Sequence, residues 1–298
     1  MLDINRVFKS DRLMRVLTGM NLAAFDQLLA SFSAAYQAAH PLSPNRQREP
    51  GAGRKANLQT IEDKLFFVLF YFKCYPTFDL AGILFDFDRS QANRWLHRLQ
   101  PVLEAALDKE MVLPKRQLHS VADFIRSFPD VERVMLDGVE RPIQRPQDKA
   151  RQESTYTGKK KRNTRKHLGL SDQDKQVLLL TPAKDGSFHD KNILDNSVIA
   201  EHIPIDVPIQ VDLGFKGMEG EYENIEISIK KPRGKALSKE QKAENRAFKA
   251  ERVVVEHAFD GIKRYKAAAD IYRNRKQDFD DNLMVTAAGL WNFYLVAA

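Results

Sequence analysis

Arg252-Val-Val-Val-Glu256-His-Ala-Phe-Asp-Gly-Ile-Lys263 is the stretch that decides the fold, because it closes a long amphipathic helix. We predict that this helix runs from Ser238 to about Ala267 and that Ser238 and Gln241 form a capping box at its start. Its buried stripe recurs at helical spacing and consists of Phe248, Val255, Phe259 and Ile262.

One flank of the same helix is charged. Arg252 and Glu256 lie four residues apart and Lys263 follows seven residues later, so the three side chains stack along one side. A carboxylate between two cations, held beside a sheet, suits a metal ion and a phosphate. In an isolated helix the same pattern more often marks an exposed charged flank.

The composition is that of a soluble globular protein. The chain has 298 residues, 43% hydrophobic and 29% charged, which is enough for two domains. Its one cysteine, Cys74, excludes a disulfide framework and cysteine-based zinc sites and fits a reducing cytosol. The first residues lack the pattern of a signal peptide, and the apolar segment 283–298 is interrupted by Asn292. We therefore expect a cytoplasmic protein with no membrane span.

The net charge of +7 is concentrated in one segment. Between Arg141 and His167 there are ten Lys or Arg residues and two acids, so this segment carries +8 and the rest of the chain −1. Such a block is a candidate phosphate-binding surface, and the alternative is a solvated loop. The residues expected to meet DNA phosphates are Lys159, Lys160, Lys161 and Arg162.

The N-terminal part is predicted to be helical. Asn21 caps a helix over 22–38, residues 41–57 form a basic linker, and Thr60 caps an apolar helix that Pro76 ends. Helices over 78–85 and 89–99 follow, separated by a short turn in which Asp86 is suited to a left-handed conformation. Asp88 caps the second of them, and another helix is expected over 101–108.

Two helices joined this tightly suggest a helix-turn-helix at about 77–99, although plain helical bundles use the same arrangement. The second helix buries Ala92, Trp95, Leu96 and Leu99. It exposes side chains of the types that reach bases and phosphates, namely Arg89, Gln91, Asn93, Arg94 and Arg98.

From Val131 the pattern changes to short apolar strands. They are predicted at 134–137, 168–170, 177–180, 207–212 and 225–229. A helix is expected to start at 187–190 and run to about Ala200. Ser187 and Asp190 form a capping pattern there, and Asp190 is also a candidate metal ligand.

Three acids occupy special positions. Asp137 and Asp212 each close a strand, and Glu256 lies on the helix after the last strand. If the two strands are neighbours and the helix packs on the sheet, the carboxylates converge and need a divalent cation to neutralise them. Oxygen ligands suit Mg²⁺ or Mn²⁺, and two such ions can cleave and join phosphodiesters.

Six segments together resemble bacterial insertion-sequence transposases of the DDE type, in the insertion-sequence-five group. In chain order they are LFFVLFYFKCYPTFDLAGILFDFDRSQANRWLHRL, MLDGVERPIQRPQD, YTGKKKRNTRKH, DGSFHDKNIL, QVDLGFKG and RVVVEHAFDGIK. The resemblance covers nearly the whole chain and assigns the catalytic acids to Asp137, Asp212 and Glu256. The sequence departs from the family at Lys249, where Tyr is usual, and at Asn163, where His is usual.

The resemblance implies an α/β fold with a ribonuclease-H-like mixed-sheet core behind an all-helical N-terminal domain. It also implies residues 1–118 as the DNA-binding domain and 119–298 as the catalytic domain. Two Mg²⁺ or Mn²⁺ ions would be bound by the three acids, with Arg252 and Lys263 on DNA phosphates. Expected partners are the terminal inverted repeats, target DNA and at least one further copy of the chain, in a bacterial cytoplasm on the nucleoid.

Two other classes of function stay open from the sequence. One is a catalytically silent or domesticated DNA-binding protein that keeps the fold. The other is a metal-dependent nuclease of the same fold, acting in RNA processing or repair. The presence of all three acids argues against the first class, and a preference for an RNA–DNA hybrid would indicate the second.

Overall fold

The computed structural model describes residues 2–41, 56–232, 234, 236–276 and 278–297, and it divides into two compact units. The first comprises Met1–Leu113, Ile262–Asp270 and Asn282–Ala298, and the second comprises Pro114–Gly261 and Ile271–Asp281. Of the predicted basic linker at 41–57, residues 42–55 lie outside the described residues. Because the chain returns to the first unit after residue 261, the units do not share one boundary in the sequence. The functional division at residue 118 stays a prediction.

Four helices begin directly after the capping residues that the sequence indicates, which are Asn21, Thr60, Asp88 and Ser238. In chain order the helices are α1 (Ile4–Val7), α2 (Asp11–Thr18), α3 (Leu22–Ala39), α4 (Ile61–Cys74), α5 (Phe78–Phe85), α6 (Arg89–Lys109), α7 (Val121–Ser127), α8 (Lys149–Thr155), α9 (Asp190–Ser197), α10 (Lys239–Lys263), α11 (Lys266–Ala269) and α12 (Phe279–Ala297). Within the described part of the chain, none of them is long and apolar enough to cross a membrane.

The turn between α5 and α6 has the predicted geometry. Asp86 adopts the left-handed conformation with φ of 57°, and the Asp88 side chain accepts hydrogen bonds from the backbone of Ser90 and Gln91. A short polar side chain tolerates this conformation better than a branched one, which explains an aspartate where glycine is usual. The turn therefore fixes the start of α6 by contacts within three residues.

The second helix of this pair is longer than predicted. The expected break at Leu99 is wrong, because α6 continues through Pro101 to Lys109. Pro101 lies on the exposed side of the helix, where water can replace the backbone hydrogen bond that proline lacks. Ala92, Leu96 and Leu99 are buried as predicted, whereas Trp95 is only half-buried.

An aromatic cluster holds α5 against α4. The Phe85 ring lies 6.1, 5.0 and 5.5 Å from the rings of Phe66, Phe67 and Phe70, measured between centroids. All four side chains are buried. Ring contacts at these distances add to the free energy of burial, so the helix-turn-helix rests on a tightly packed base.

The second unit is built on a mixed sheet. Its strands are β1 (Val134–Pro142), β2 (Tyr156–Thr157), β3 (Arg162–Asp172), β4 (Val177–Leu180), β5 (Lys184–Asp185), β6 (Ile209–Val211) and β7 (Ile225–Ile227). The order is β2-β3-β1-β6-β7, with β4 and β5 also paired to β3. β1 runs antiparallel to β3 and parallel to β6, and β6 is parallel to β7.

Helices cover both faces of this sheet. Leu136 and Leu168 point to one face and pack with Ile193 and Leu194 of α9. Strand residues alternate between faces, so Asp137 and its cross-strand partner Gly169 point to the other. A side chain added at Gly169 would meet Phe259 of α10 at 2.5 Å, which places α10 on that second face. A helical N-terminal region followed by a mixed sheet with flanking helices is the predicted ribonuclease-H-like fold class.

Candidate active site

Two of the predicted acids lie side by side on neighbouring parallel strands, Asp137 within β1 and Asp212 directly after β6. The predicted strand end at Asp137 is wrong, because β1 continues to Pro142 along its partner β3. Met135 of β1 is paired with Gln210 of β6, and Asp137 and Asp212 each lie two residues further along their strands. Strands in a sheet are about 4.8 Å apart, so this register brings the two aspartates next to each other. The carboxyl ends of parallel strands are also where α/β folds place ligand sites.

One carboxylate oxygen of each aspartate accepts a hydrogen bond from the backbone nearby. Oδ1 of Asp137 accepts a hydrogen bond from the N–H of Gly138 at 2.7 Å, and Oδ1 of Asp212 accepts one from the N–H of Gly214 at 2.8 Å. A side chain at Gly214 would meet Asp212 Oδ1 at 2.8 Å, so this turn needs glycine. The backbone therefore orients both carboxylates and leaves Oδ2 of each for other contacts.

The pKa of Asp137 lies above its ordinary value of 3.8, chiefly because burial disfavours the charged carboxylate. The neighbouring carboxylates of Asp212 and Asp190 raise this pKa further, while the Gly138 N–H and the Arg252 guanidinium lower it. The site thus gathers negative charge that its own protein groups do not fully neutralise. That imbalance is what a bound cation corrects.

Arg252 of α10 faces this pair of acids. Its Nη2 lies 3.8 Å from Oδ2 of Asp137, and only 12% of its side chain is exposed. Among the described residues, its buried Nη1 has no hydrogen-bond partner. A guanidinium with a spare buried donor beside a carboxylate cluster is suited to bind a further anion.

Contacts along α10 bring its charged flank over the same part of the sheet. Glu251 accepts a hydrogen bond from Gln210 of β6 at 2.7 Å, Arg252 faces Asp137 of β1, and Phe259 covers Gly169 of β3. Glu256 lies four residues after Arg252 and three before Phe259, on the same side of the helix. It is exposed.

The triad is not assembled as a closed ligand set. Within the residues that the structure describes, no three His, Cys, Asp or Glu side chains are placed to hold one metal ion. Asp137 and Asp212 are brought together, whereas the convergence of Glu256 with them stays a prediction. Lys263, the last residue of α10, belongs to the first compact unit and is exposed.

Asp190 has a different environment from the one its capping pattern indicates. The N-cap of α9 is His189, whose side chain accepts from the backbone of Lys191, so Ser187 is not the cap. Asp190 Oδ1 instead lies 3.1 Å from Nζ of Lys166 on β3. The capping interpretation of Ser187 is wrong because the helix starts two residues later than that pattern requires.

The basic block divides into a surface part and a buried part. Lys159, Lys160, Lys161 and Arg162 are exposed in the turn between β2 and β3, as predicted. Arg141 and Lys166 are buried in the sheet, and Arg165 pairs with Asp185 and Asp280. The prediction of one continuous phosphate-binding surface is therefore wrong for these three cations. Counting alternate positions along a strand from Leu168 to Lys166 would have signalled that Lys166 points inward.

The departure at Asn163 has a structural explanation. Its Nδ2 donates to the carbonyl of Gln152 at 2.9 Å and to Oγ1 of Thr155 at 2.8 Å. These bonds tie the start of β3 to α8. An amide in place of the usual histidine therefore still anchors the basic turn.

The residues predicted to face DNA from α6 all keep at least part of their side chains exposed. Arg94 is held by contacts from Nε to the carbonyl of Ser90 and from Nη2 to its hydroxyl, both at 3.3 Å. The Arg98 guanidinium lies 5.3 Å from the centre of the Trp95 ring. The exposed members of the set are Arg89, Arg94 and Arg98, and the half-buried members are Gln91 and Asn93.

Comparison with known proteins identifies the family of this chain. A family model described as "DDE superfamily endonuclease" matches residues 136–292, which include Asp137, Asp212 and α10. The chain belongs to the DDE superfamily. A second model, "Helix-turn-helix of DDE superfamily endonuclease", matches residues 56–109 and confirms the predicted helix-turn-helix.

One curated relative extends the match to most of the chain. It is the "Probable transposase for insertion sequence element IS702" of Microchaete diplosiphon, 28% identical over 254 residues that cover 84% of this chain and 86% of the relative. No solved structure matches the chain. The resemblance to insertion-sequence DDE transposases is confirmed, and divalent-metal dependence is a property that the superfamily implies.

The carboxylate oxygens of Asp137 and Asp212 are suitable ligands for a divalent cation such as Mg²⁺. Both Asp137 and Asp212 offer carboxylate oxygens, the donors that Mg²⁺ and Mn²⁺ prefer. The raised pKa of Asp137 shows that its charged form lacks full compensation from the protein. The two aspartates are therefore the residues that would hold such an ion first.

Proposed function

We propose that this chain is a DNA transposase that binds the terminal inverted repeats of an insertion sequence and cleaves and joins DNA strands. The observation that carries the proposal is the parallel pairing of β1 with β6, which brings Asp137 next to Asp212, with the Arg252 guanidinium beside Asp137. The superfamily match and the relative named as a probable transposase support it.

In this mechanism Asp137, Asp212 and Glu256 would hold one or two divalent cations next to the reacting phosphate. Asp137 and Asp212 would share the ions and Glu256 would complete the ligand set from α10. Bound there, Mg²⁺ or Mn²⁺ supplies activation of a water or 3′-hydroxyl and stabilisation of the leaving oxygen. Arg252, with its buried spare donor, would bind a nonbridging oxygen of the scissile or flanking phosphate.

DNA binding is assigned to two surfaces of different character. The α6 surface carries Arg94 and Arg98 beside Gln91 and Asn93, so it has both phosphate-binding and base-reading side chains. The turn at Lys159–Arg162 carries only cations, which position a DNA backbone without reading sequence. We infer that the first surface selects the transposon ends and the second holds flanking DNA.

The catalytic assignment is tested with the full chain and a labelled duplex that contains the DNA flanking its own coding region. We expect nicking that requires Mg²⁺ or Mn²⁺ and that Asp137→Asn lowers by about 100-fold or more, equivalent to about 2.7 kcal/mol of transition-state stabilisation. Asp206→Asn, at an exposed aspartate of the same unit, serves as the control and should nick like wild type.

Equal nicking by wild type and Asp137→Asn would show that the catalytic assignment is wrong. Preferential cleavage of an RNA–DNA hybrid over the repeat-bearing duplex would replace transposition with RNA processing or repair as the function.

A further inference from the structure

A buried lysine on β3 lies near Asp137 and Asp212 and has no role in the proposed mechanism. Lys166 of β3 stands opposite Glu140 of β1, and only 8% of its side chain is exposed. Its ammonium group lies 3.5 Å from Glu140 Oε1 and 3.1 Å from Asp190 Oδ1, and it donates to the carbonyl of Phe188 at 2.9 Å. The hydrogen bond to Phe188 and the charges of the two carboxylates hold this ammonium in place.

Asp190 approaches Lys166 across the space above Gly138, which has no side chain. A side chain on Gly138 would meet Asp190 Oδ1 at 3.1 Å, so the carboxylate lies directly against the backbone that follows Asp137. Asp190 is also close enough to Asp137 for its charge to raise the pKa of that residue. Its distance from Asp137 therefore makes Asp190 a candidate metal ligand. Whether it can bind a metal ion depends on its ion pair with Lys166.

On each face of β1 a cation approaches one of these carboxylates. Arg252 of α10 approaches Asp137 from one face, at 3.8 Å. Lys166 holds Asp190 on the other face, where α9 packs, because Glu140 and Gly138 alternate with Asp137 along the strand. Arg252 keeps a spare buried donor, whereas the ammonium of Lys166 is held by the carbonyl of Phe188 and by two carboxylates.

We propose that Lys166 is the fixed counter-ion of Asp190, a positioning residue that keeps this fourth carboxylate out of the metal-ligand set. The inference rests on the proposed function, since it assigns roles around the same acids. For Asp190 to bind a metal ion, it would have to leave Lys166 and abandon a buried ammonium beside Glu140. Breaking a buried ion pair in this way is strongly unfavourable.

Lys166 thereby also sets the charge that a cation meets at Asp137 and Asp212. With Lys166 in place, part of the charge that Asp190 brings beside Asp137 is offset. Without it, one more uncompensated negative charge lies beside Asp137, and the attraction for a divalent ion increases. A lysine that only stabilised the fold would have the opposite effect, because its loss would loosen the site.

The test is Mn²⁺ binding to the full chain without DNA, measured from the electron paramagnetic resonance signal of free Mn²⁺. We expect Lys166→Gln to tighten binding by about tenfold and Asp190→Asn to weaken it by a similar factor, since each changes the local charge by one. The double variant Lys166→Gln/Asp190→Asn has the wild-type charge and should bind Mn²⁺ like wild type. Lys166→Arg should also bind like wild type.

The double variant decides between the two roles of Asp190. If Asp190 is a ligand, the double variant loses Mn²⁺ affinity as severely as Asp137→Asn, and the proposal is overturned. Weaker binding in Lys166→Gln, with the protein still folded, overturns it as well. If Lys166→Gln does not fold, the double variant remains decisive, because it buries no extra charge.

Asp137→Asn separates this inference from the proposed function. If Asp137→Asn leaves Mn²⁺ affinity unchanged, the metal site itself is wrongly assigned. If Asp137→Asn weakens binding and the double variant weakens it equally, only the role of Lys166 fails.

Discussion

The helix-turn-helix and the acid site at Asp137 and Asp212 are held in place by different kinds of contact. In the helix-turn-helix, Asp86 and Asp88 fix the turn through bonds to residues at most four positions away. In the acid site, Asp137 and Asp212 meet through the register of two parallel strands, and α10 is aligned by contacts such as Glu251 with Gln210. The first region depends on local sequence and the second on pairing between distant segments.

This difference implies that damage to one region should leave the other working. The largest effect on stability is expected from Phe85→Ala, which removes the ring that packs on three phenylalanines of α4. We expect it to cost about 3–5 kcal/mol of the free energy of unfolding, measured by urea denaturation. Ile83→Ala, at a side chain that is 70% exposed, is the matched control and should change little.

Under conditions where Phe85→Ala is folded, its affinity for Mn²⁺ should equal that of wild type. A loss of Mn²⁺ affinity in this variant would show that the acid site depends on the helix-turn-helix.

A smaller effect on stability, with a larger one on the acid site, is expected from Gly169→Ala. The added methyl group would meet the buried Phe259 ring at 2.5 Å, so we expect the ring to displace α10, and such overpacking costs about 1–3 kcal/mol. Because Arg252 and Glu256 move with α10, Mn²⁺ affinity and nicking should both fall. Gly220→Ala, where no atom lies within 4 Å of the added methyl group, is the control.

Normal Mn²⁺ affinity in Gly169→Ala would mean that the position of α10 does not matter to the site. Glu256 would then lose its proposed place in the ligand set.

The smallest effect on the fold is expected from neutralising the basic turn. Lys159→Gln/Lys160→Gln/Lys161→Gln changes only exposed side chains, so the free energy of unfolding should stay the same. DNA binding should weaken alike for all sequences, and the slope of log K against log salt should fall by about 0.9 for each phosphate that the turn no longer neutralises.

The control for charge is Lys239→Gln/Lys242→Gln/Lys249→Gln, which removes three exposed lysines from α10. An unchanged salt slope in the basic-turn variant would make that turn an ordinary solvated loop. Weaker binding of the repeat-bearing duplex alone would instead give the turn a role in sequence reading.

The parts of the fold that were predictable from sequence are the ones with local signals. Asp86, Asp88 and the capping box of Ser238 with Gln241 occupy their predicted positions, because each bonds within its own turn. The end of β6 before Asp212 was also visible, since it closes an apolar run, whereas the predicted strand end at Asp137 is wrong, because β1 continues to Pro142.

The parts that were not predictable depend on distant partners. The second half of β1 is polar in sequence, yet Arg141 is buried because β3 pairs along it and its guanidinium lies 4.9 Å from the centre of the Tyr272 ring. Lys166 looked like part of a basic surface for the same reason. No property of a basic segment shows which of its cations will face Glu140 and Asp190 until the register is known.

The central claim is that Asp137 and Asp212 hold divalent cations together. The most direct measurement is anomalous X-ray diffraction from crystals of the full chain soaked in MnCl₂. We predict a manganese peak about 2.2 Å from a carboxylate oxygen of each aspartate, with Lys166 still paired to Asp190. A peak bound by Asp190 and Glu140 with Lys166 displaced, or none at Asp137 and Asp212, would contradict it.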